Sequence, residues 1–343
     1  MRAVVQRAFG GVEVLEIASV PDPPVGQGDV LLEVKAASLN RLDVIQRQGP
    51  ALLPGFSLPH VAGMDVAGQV VGVGAAVTDL RRGDRVVVNP ALQCGECVSC
   101  RAGDDGFCPS VRVVGGNHPG GHAELLTVPA SHAYRIPAGM SYEHAAALPT
   151  GYSTAWHALV VTAGLRIGEW VMIHAAGSGV SVAAIQLAKK MGAKVVATAG
   201  SRPKLDLAER LGADVVVDNR TEDIVAVARE ATGGRGVDVV FDHVGPALVQ
   251  PSLYSLRPRG RFVFCGTTTG TDATFNLPYA YHFGIQLLGS DPYTYAEFEQ
   301  MLDYTLAADF DPVIDSTYPL SEAADAHRRL EAGDVLGKLI LVP

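Results

Sequence analysis

Residues 171–174 form a short apolar run with the length of a buried strand, and residues 180–190 place Val180, Ala184, Leu187 and Ala188 on one helical stripe. Between them lies Ala175-Ala176-Gly177-Ser178-Gly179, small throughout. Strand, glycine turn and helix form the local plan of a dinucleotide-binding unit. Small side chains let the backbone approach a pyrophosphate, and the free N–H groups and positive dipole at the helix start hold it. On this reading Gly177, Ser178, Gly179 and Val180 contact the cofactor. Gly177 and Gly179 supply G-x-G, and the next expected glycine is Ser181 or Val182, depending on register.

The same pattern repeats downstream. Apolar, non-alternating runs at 194–198, 214–217, 237–241, 261–265 and 285–288 read as strands, and 203–211 reads as a helix with Pro203 in its first turn. Strands of this kind alternating with helices predict a parallel sheet covered on both faces. The amino-terminal half reads differently. Residues 1–8 and 12–17 form paired strands around Gly10-Gly11, and 29–37 alternate as a half-buried strand. Within 59–74, Gly63, Gly68, Gly72 and Gly74 fit bulged strands crowding a cleft. Short strands and turns up to about Val128 predict a separate, mainly β, barrel-like domain. The fold class is therefore α/β with two domains.

Composition narrows the function classes. The 343 residues are 48% hydrophobic, enough for large cores, and 27 basic against 36 acidic residues leave a net charge of −9. No Lys/Arg run stands out, which argues against nucleic acid or an anionic membrane as partner and leaves a small-molecule substrate. Residues 170–188 lack charge, but the central Gly-Ser-Gly opposes a membrane span. No long apolar core marks a secretory signal at the start, so a cytoplasmic protein is expected.

The five cysteines are mostly clustered, as Cys94-x2-Cys97-x2-Cys100-x7-Cys108, with Gly95, Glu96, Gly103, Asp104 and Asp105 as loop formers between them. Four thiolates this close can surround a tetrahedral Zn²⁺; four free thiols or two disulfides are the alternative. A four-sulfur shell is closed, so such a metal is structural. Cys265 stands apart at the end of a predicted strand.

Gly63-Met64-Asp65-Val66-Ala67-Gly68, the cysteine lobe, residues 174–186 and 260–266, Leu288-Gly289-Ser290 and Gly337-Lys338 together resemble the medium-chain dehydrogenase/reductase superfamily, which holds zinc alcohol dehydrogenases and quinone oxidoreductases. The resemblance covers essentially the whole chain. It implies a GroES-like β-barrel catalytic domain at 1–146 and 292–343, a Rossmann domain at 147–291, a substrate in the cleft, and a homodimer or homotetramer. It also implies cofactor contacts from Arg41, Thr154, Gly266 and Lys338. His243 sits where switch-crevice ligands bind and reads as a cofactor contact or a packed histidine.

The family's zinc alcohol dehydrogenases carry a second, catalytic zinc. Its three ligand positions match Asn40, Met64 and Thr150 here, and the usual proton-relay hydroxyl matches Leu42. Asp43 and Asp65 remain, so Asn40, Asp43 and Asp65 are the candidate catalytic residues. The cysteine lobe belongs to the zinc enzymes, whereas the altered ligands resemble the zinc-free reductases. The end of the second strand carries Ala199 in place of the acidic residue usual for NAD, followed by Gly200-Ser201-Arg202-Pro203-Lys204. Ser201, Arg202 and Lys204 suit a 2′-phosphate, so NADP(H) is the expected cofactor, beside one structural Zn²⁺. The expected activity is hydride transfer to an enone, quinone or reactive carbonyl. An alcohol dehydrogenase with a metal site rebuilt from Asp43, His60 and Asp65, or a cofactor-binding protein without catalysis, are the alternatives.

Overall fold

In the computed structural model, which describes residues 1–50 and 53–343, the chain divides into one unit of Met1–Thr150 with Thr294–Pro343 and a second of Gly151–Tyr293. The first unit is built on a seven-stranded sheet. Its path runs Ile314–Pro319, Lys338–Val342, Asp29–Ser38, Asp65–Val73, Arg85–Val88, Ala133–Arg135, and Leu125–Pro129 also pairs with Asp29–Ser38. The alternation expected in the third of these strands is present: Val30, Leu32, Val34 and Ala36 are buried and the residues between them are partly open. Val30, Leu32 and Val34 pack with Val66, Val70, Val86, Val88, Leu126 and Val128 in one apolar core.

Register in this sheet decides which polar residues meet. Asp29–Ser38 and Asp65–Val73 pair antiparallel with two irregularities, and Ser38 ends opposite Asp65. Gly68 is needed there, because a Cβ at that position would stand 2.4 Å from the Glu33 carbonyl oxygen. Strand Lys338–Val342 then lies on the other side of Asp29–Ser38, with Ile340 opposite Ser38. At the amino terminus Arg2–Gln6 pairs with Leu15–Ser19, and Val12–Val14 is a 3-10 turn rather than the start of the expected strand.

The second unit is a six-stranded, wholly parallel sheet in the order Val215–Asp218, Lys194–Ala199, Trp170–Ile173, Val237–Asp242, Leu256–Phe264, Gln286–Gly289. The order reverses at Trp170–Ile173, so the glycine turn leaves the strand at the topological switch point where ligands bind such sheets. Helix Gly179–Lys190 follows. It buries Ser181, Val182, Ala183, Ala184, Ile185, Leu187 and Ala188, a wider face than the predicted stripe, while Val180 is half-buried. The strand expected at 261–265 is Leu256–Phe264, so it starts earlier and includes Pro258-Arg259-Gly260. Among the described residues no helix is long and apolar enough to cross a membrane.

Candidate active site

The glycine turn is held from below by buried polar side chains. His174 follows its strand with both ring nitrogens bonded, Nδ1 to the Thr198 hydroxyl and Nε2 to the Ser252 hydroxyl, each at 2.8 Å. Ala175 takes a positive φ of 51°, uncommon for a residue with a side chain. Ser178 then caps helix Gly179–Lys190, its hydroxyl accepting from the Ser181 N–H. His243 reaches in from the end of the fourth strand, its Nε2 2.8 Å from the Ser181 hydroxyl and 3.1 Å from that of Ser178. Burial pushes this imidazole down to about 4, so it is neutral and props the turn.

Two glycines mark close approaches. A Cβ on Gly177 would fall 2.6 Å from Lys204 Cγ, and one on Gly266 would fall 2.8 Å from the His243 carbonyl oxygen. The bare Gly177 backbone, the capped helix start and the Lys204 stem laid over the turn fit a dinucleotide pyrophosphate. Gly151, on helix Pro149–Trp156, packs toward the Gly179 carbonyl oxygen, and Thr154 stands half-buried further along it.

The end of the second strand departs from the expectation. Arg202 is exposed, but its guanidinium is engaged along its own helix, Nε with Asp206 at 2.6 Å and Nη2 with both Glu209 oxygens at 2.9 Å. The cation beside Gly200 is instead Arg220. The sheet register explains why. Ala199 pairs with Asp218, so the residues just past Val215–Asp218 come out alongside the turn that follows Lys194–Ala199. Sequence reasoning missed Arg220; its clue was its place two residues beyond the neighbouring strand. Ser201 immediately precedes helix Arg202–Arg210.

In the first unit the candidate catalytic residues converge on Asp65, which is fully buried. Its Oδ2 accepts from the Ser38 hydroxyl at 2.9 Å, the Asn40 amide at 2.9 Å and the Lys338 ammonium at 3.0 Å. Its Oδ1 accepts from the Thr150 N–H at 2.9 Å and from the Thr150 hydroxyl. Burial would raise this carboxyl, but the Lys338 charge and the Thr150 and Asn40 donors outweigh it and hold Asp65 below the usual range. Lys338 also donates to Asn40 Oδ1 at 2.8 Å and is only 6% exposed, so its ammonium belongs to this cluster rather than to a free cofactor contact. Arg41, next to Asn40, is exposed at the start of helix Arg41–Gln48.

Asp43 behaves in the opposite way. It is buried and accepts from the Asn40 N–H at 2.7 Å and the Gly63 N–H at 3.2 Å. Those donors do not offset desolvation, and its carboxyl is pushed up to about 7. Two aspartates in one cluster are thus divided between an ionised and a protonatable form. His60 lies apart from both, its Nε2 at 2.9 Å from the Gly115 carbonyl oxygen, and His118 bonds the Pro119 carbonyl. Asp43, His60 and Asp65 do not form a ligand set; among the described residues the cysteine lobe alone brings such groups together.

In that lobe the Sγ atoms of Cys94, Cys97, Cys100 and Cys108 all lie within 4.8 Å of one another, and Cys94 and Cys100 are 3.8 Å apart. Tetrahedral Zn–S bonds of about 2.3 Å imply sulfur separations of about 3.8 Å, so the residues present fit a closed Zn²⁺ site. Asp105, between the third and fourth cysteines, accepts from the Tyr295 N–H at 2.8 Å and ties the lobe to helix Tyr295–Ala307.

Comparison with known proteins agrees with this architecture. Residues 26–138 match the alcohol dehydrogenase GroES-like domain and 179–307 match the zinc-binding dehydrogenase domain. The chain is 33% identical over 351 residues to the NAD-dependent alcohol dehydrogenase of Sulfolobus acidocaldarius, covering 99% of each. It superposes on a crystal structure of an NAD-dependent alcohol dehydrogenase with TM-score 0.96 and 41% identity over 100% of both chains. A quinone oxidoreductase of Pseudomonas syringae pv. Tomato DC3000 superposes with TM-score 0.83 and 29% identity, over 100% of this chain and 99% of that one. The chain belongs to the medium-chain dehydrogenase/reductase superfamily, with a GroES-like domain and a Rossmann-type domain. It is an oxidoreductase of the alcohol dehydrogenase-like, zinc-binding branch.

Proposed function

We propose that this oxidoreductase uses NADPH to reduce an enone, a quinone or a reactive carbonyl, and holds one structural zinc but no catalytic one. The observation that carries this reading is the way the Asp65 cluster is spent. Asn40 and Thr150 stand at the family's catalytic-ligand positions, yet both are bonded to Asp65, and the Lys338 ammonium sits between Asn40 and Asp65. An amide, a hydroxyl and the Met64 thioether are weak Zn²⁺ ligands, and a cation already neutralises the one carboxylate among them. These residues do not fit a catalytic zinc.

Bound NADPH supplies the hydride. Gly177, Ser178, Gly179 and Val180 hold its pyrophosphate at the helix start, with Arg41 and Thr154 as further contacts and Gly266 giving room beside the turn. His243 keeps Ser178 and Ser181 in place. The acceptor's developing negative charge needs preorganised donors. The Asn40 amide and the Lys338 ammonium each use part of their N–H groups within the cluster and retain one for the acceptor oxygen. Asp43, with its carboxyl raised to about 7, is protonated in about half of the molecules at neutral pH and returns that proton after hydride transfer.

The names of the relatives support a second reading, an alcohol dehydrogenase using NAD. A panel of cofactor oxidations and reductions separates the two. Faster NADPH-dependent turnover of enones or quinones than NAD(P)⁺-dependent turnover of primary alcohols supports the proposal, and the reverse order overturns it.

A further inference from the structure

We propose that a buried file of polar side chains, His122, His327 and Arg47, carries a proton from the surface at Glu331 to Asp43 after each turnover, through waters held between them. This rests on the reading of Asp43 as the group that returns a proton. It supplies what that reading needs, because Asp43 is buried and must be recharged in every cycle. At the inner end, the Gly63 N–H donates to Asp43 Oδ1, and His122 packs against the same glycine: a Cβ on Gly63 would stand 2.5 Å from His122 Cδ2. The His122 ring meets that of His327, on helix Ala323–Ala332, edge-on, with centroids 6.2 Å apart and planes at 85°. Arg47 is the next charge beside His327, and it lies one turn from Asp43 on helix Arg41–Gln48. Its Nη2 donates to Glu331 Oε1, and the Glu331 side chain is 27% exposed. The file therefore starts at a buried carboxyl and ends at a carboxylate within reach of solvent.

A second observation points to what joins these groups. Both ring nitrogens of His122 and of His327, and Nε and Nη1 of Arg47, are buried without a hydrogen-bond partner among the described residues. Gln46 Oε1, on the same helix as Arg47, is in the same position. Buried donors and acceptors left open cost free energy that ordered water recovers. Burial, with the neighbouring His60 and Arg47, holds both imidazoles neutral against the pull of the Asp65 charge on His122. Each ring thus offers one N–H and one bare nitrogen, the pair a relay needs.

The balance of the step is simple. The hydride of NADPH and the proton of Asp43 reduce the acceptor and leave Asp43 a carboxylate. One solvent proton then enters at Glu331, and each water and imidazole in turn accepts a proton on one side and releases one from the other. Arg47 keeps its own protons and orients the waters beside Glu331.

The test is stopped-flow oxidation of NADPH by 2-cyclohexenone in the unaltered protein, His327→Ala, His327→Gln and Asp43→Asn. Each is charged with NADPH near pH 6, where Asp43 holds its proton, and mixed with the enone at about pH 8, where the carboxyl loses it. The unaltered protein should run at one steady rate. His327→Ala should give one fast turnover per chain on the stored proton, then a rate lower on the order of tenfold or more. Imidazole added to the buffer should restore that second phase, and His327→Gln, which still bonds water, should fall between. A merely structural role slows both phases alike without rescue; that result, or an unchanged second phase, overturns the relay while the Asp43 reading stands. If Asp43→Asn turns over as fast as its parent, or the unaltered protein does not oxidise NADPH with the enone, the functional reading itself fails. A second measurement does not depend on turnover. In protein labelled with ¹⁵N-histidine, the His122 and His327 rings should be neutral and receive magnetisation from water. Ring N–H signals that persist in D₂O and receive none overturn the file.

Discussion

Lowering the pH from 7 to 5 should destabilise the protein through its buried neutral histidines. His122, His174 and His327 are each 0% exposed, and burial pushes all three imidazoles down to about 3. In the unfolded chain they titrate near 6.5. Stability is therefore unaffected well above pH 6.5 and falls as the pH drops below it, because the unfolded state takes up protons that the native state refuses. At pH 5 each histidine costs about 2 kcal/mol, and the three together about 6 kcal/mol. Asp43 works in the other direction. Its folded value of about 7 exceeds the ordinary 3.8 of an aspartate, so the native state gains a proton as the pH falls and returns about 2 kcal/mol by pH 5. Together these four groups lower stability by about 3 to 4 kcal/mol, a large share of the roughly 5–15 kcal/mol of a typical domain, and His132 and His243, both pushed down to about 4 by burial, add to the loss.

His327 isolates the effect, since neither ring nitrogen has a protein partner among the described residues. His327→Leu puts an apolar side chain of similar size in its place and removes one titration and two unpartnered polar atoms. Urea unfolding of both proteins at pH 7 and pH 5 should show the variant losing about 2 kcal/mol less than its parent between the two. Parallel losses in the two proteins would refute the reasoning.

Replacing Cys97 with Ser should lower zinc content and melting temperature while leaving the cofactor dissociation constant within about twofold, read by metal analysis, calorimetry and cofactor titration. Lys338→Met strands the Asp65 charge in the interior and should cost about 3–5 kcal/mol in chemical denaturation; a loss under 1 kcal/mol would show that the other four donors suffice. If Asp43 returns the proton, kcat/KM for NADPH-dependent reduction should fall as the pH rises through about 7, and Asp43→Asn should abolish that inflection in the pH profile.

What could be read from the chain was what is local. The glycine turn, the run of apolar strands and the cysteine spacing each lie within a few dozen residues, and the physics that shapes them acts at that range. The Asp65 cluster is different. Ser38 faces Asp65 because of two irregularities in strand pairing, and Lys338 arrives 273 positions later in the chain on a third strand. The family resemblance marked Asn40, Asp43 and Asp65 as polar survivors at a reactive place, but not that one aspartate would be ionised and the other held near neutrality. Arg202 and Arg220 make the same point. Both are cations near the strand end; the helix spacing of Asp206 and Glu209 neutralises the first, and sheet register delivers the second. Apolar periodicity also set the start of Leu256–Phe264 too late, because residues 257–260 are polar, proline or glycine and break the apolar run although the strand passes through them.

The central claim is that the Asn40–Asp65–Thr150–Lys338 cluster works without a metal. It is tested most directly by counting zinc per chain in purified protein that turns over NADPH with an enone or quinone. The account predicts one zinc per chain, lost together with the cysteine lobe in Cys97→Ser. Two zinc ions per chain, the second surviving in that variant and required for turnover, would contradict it.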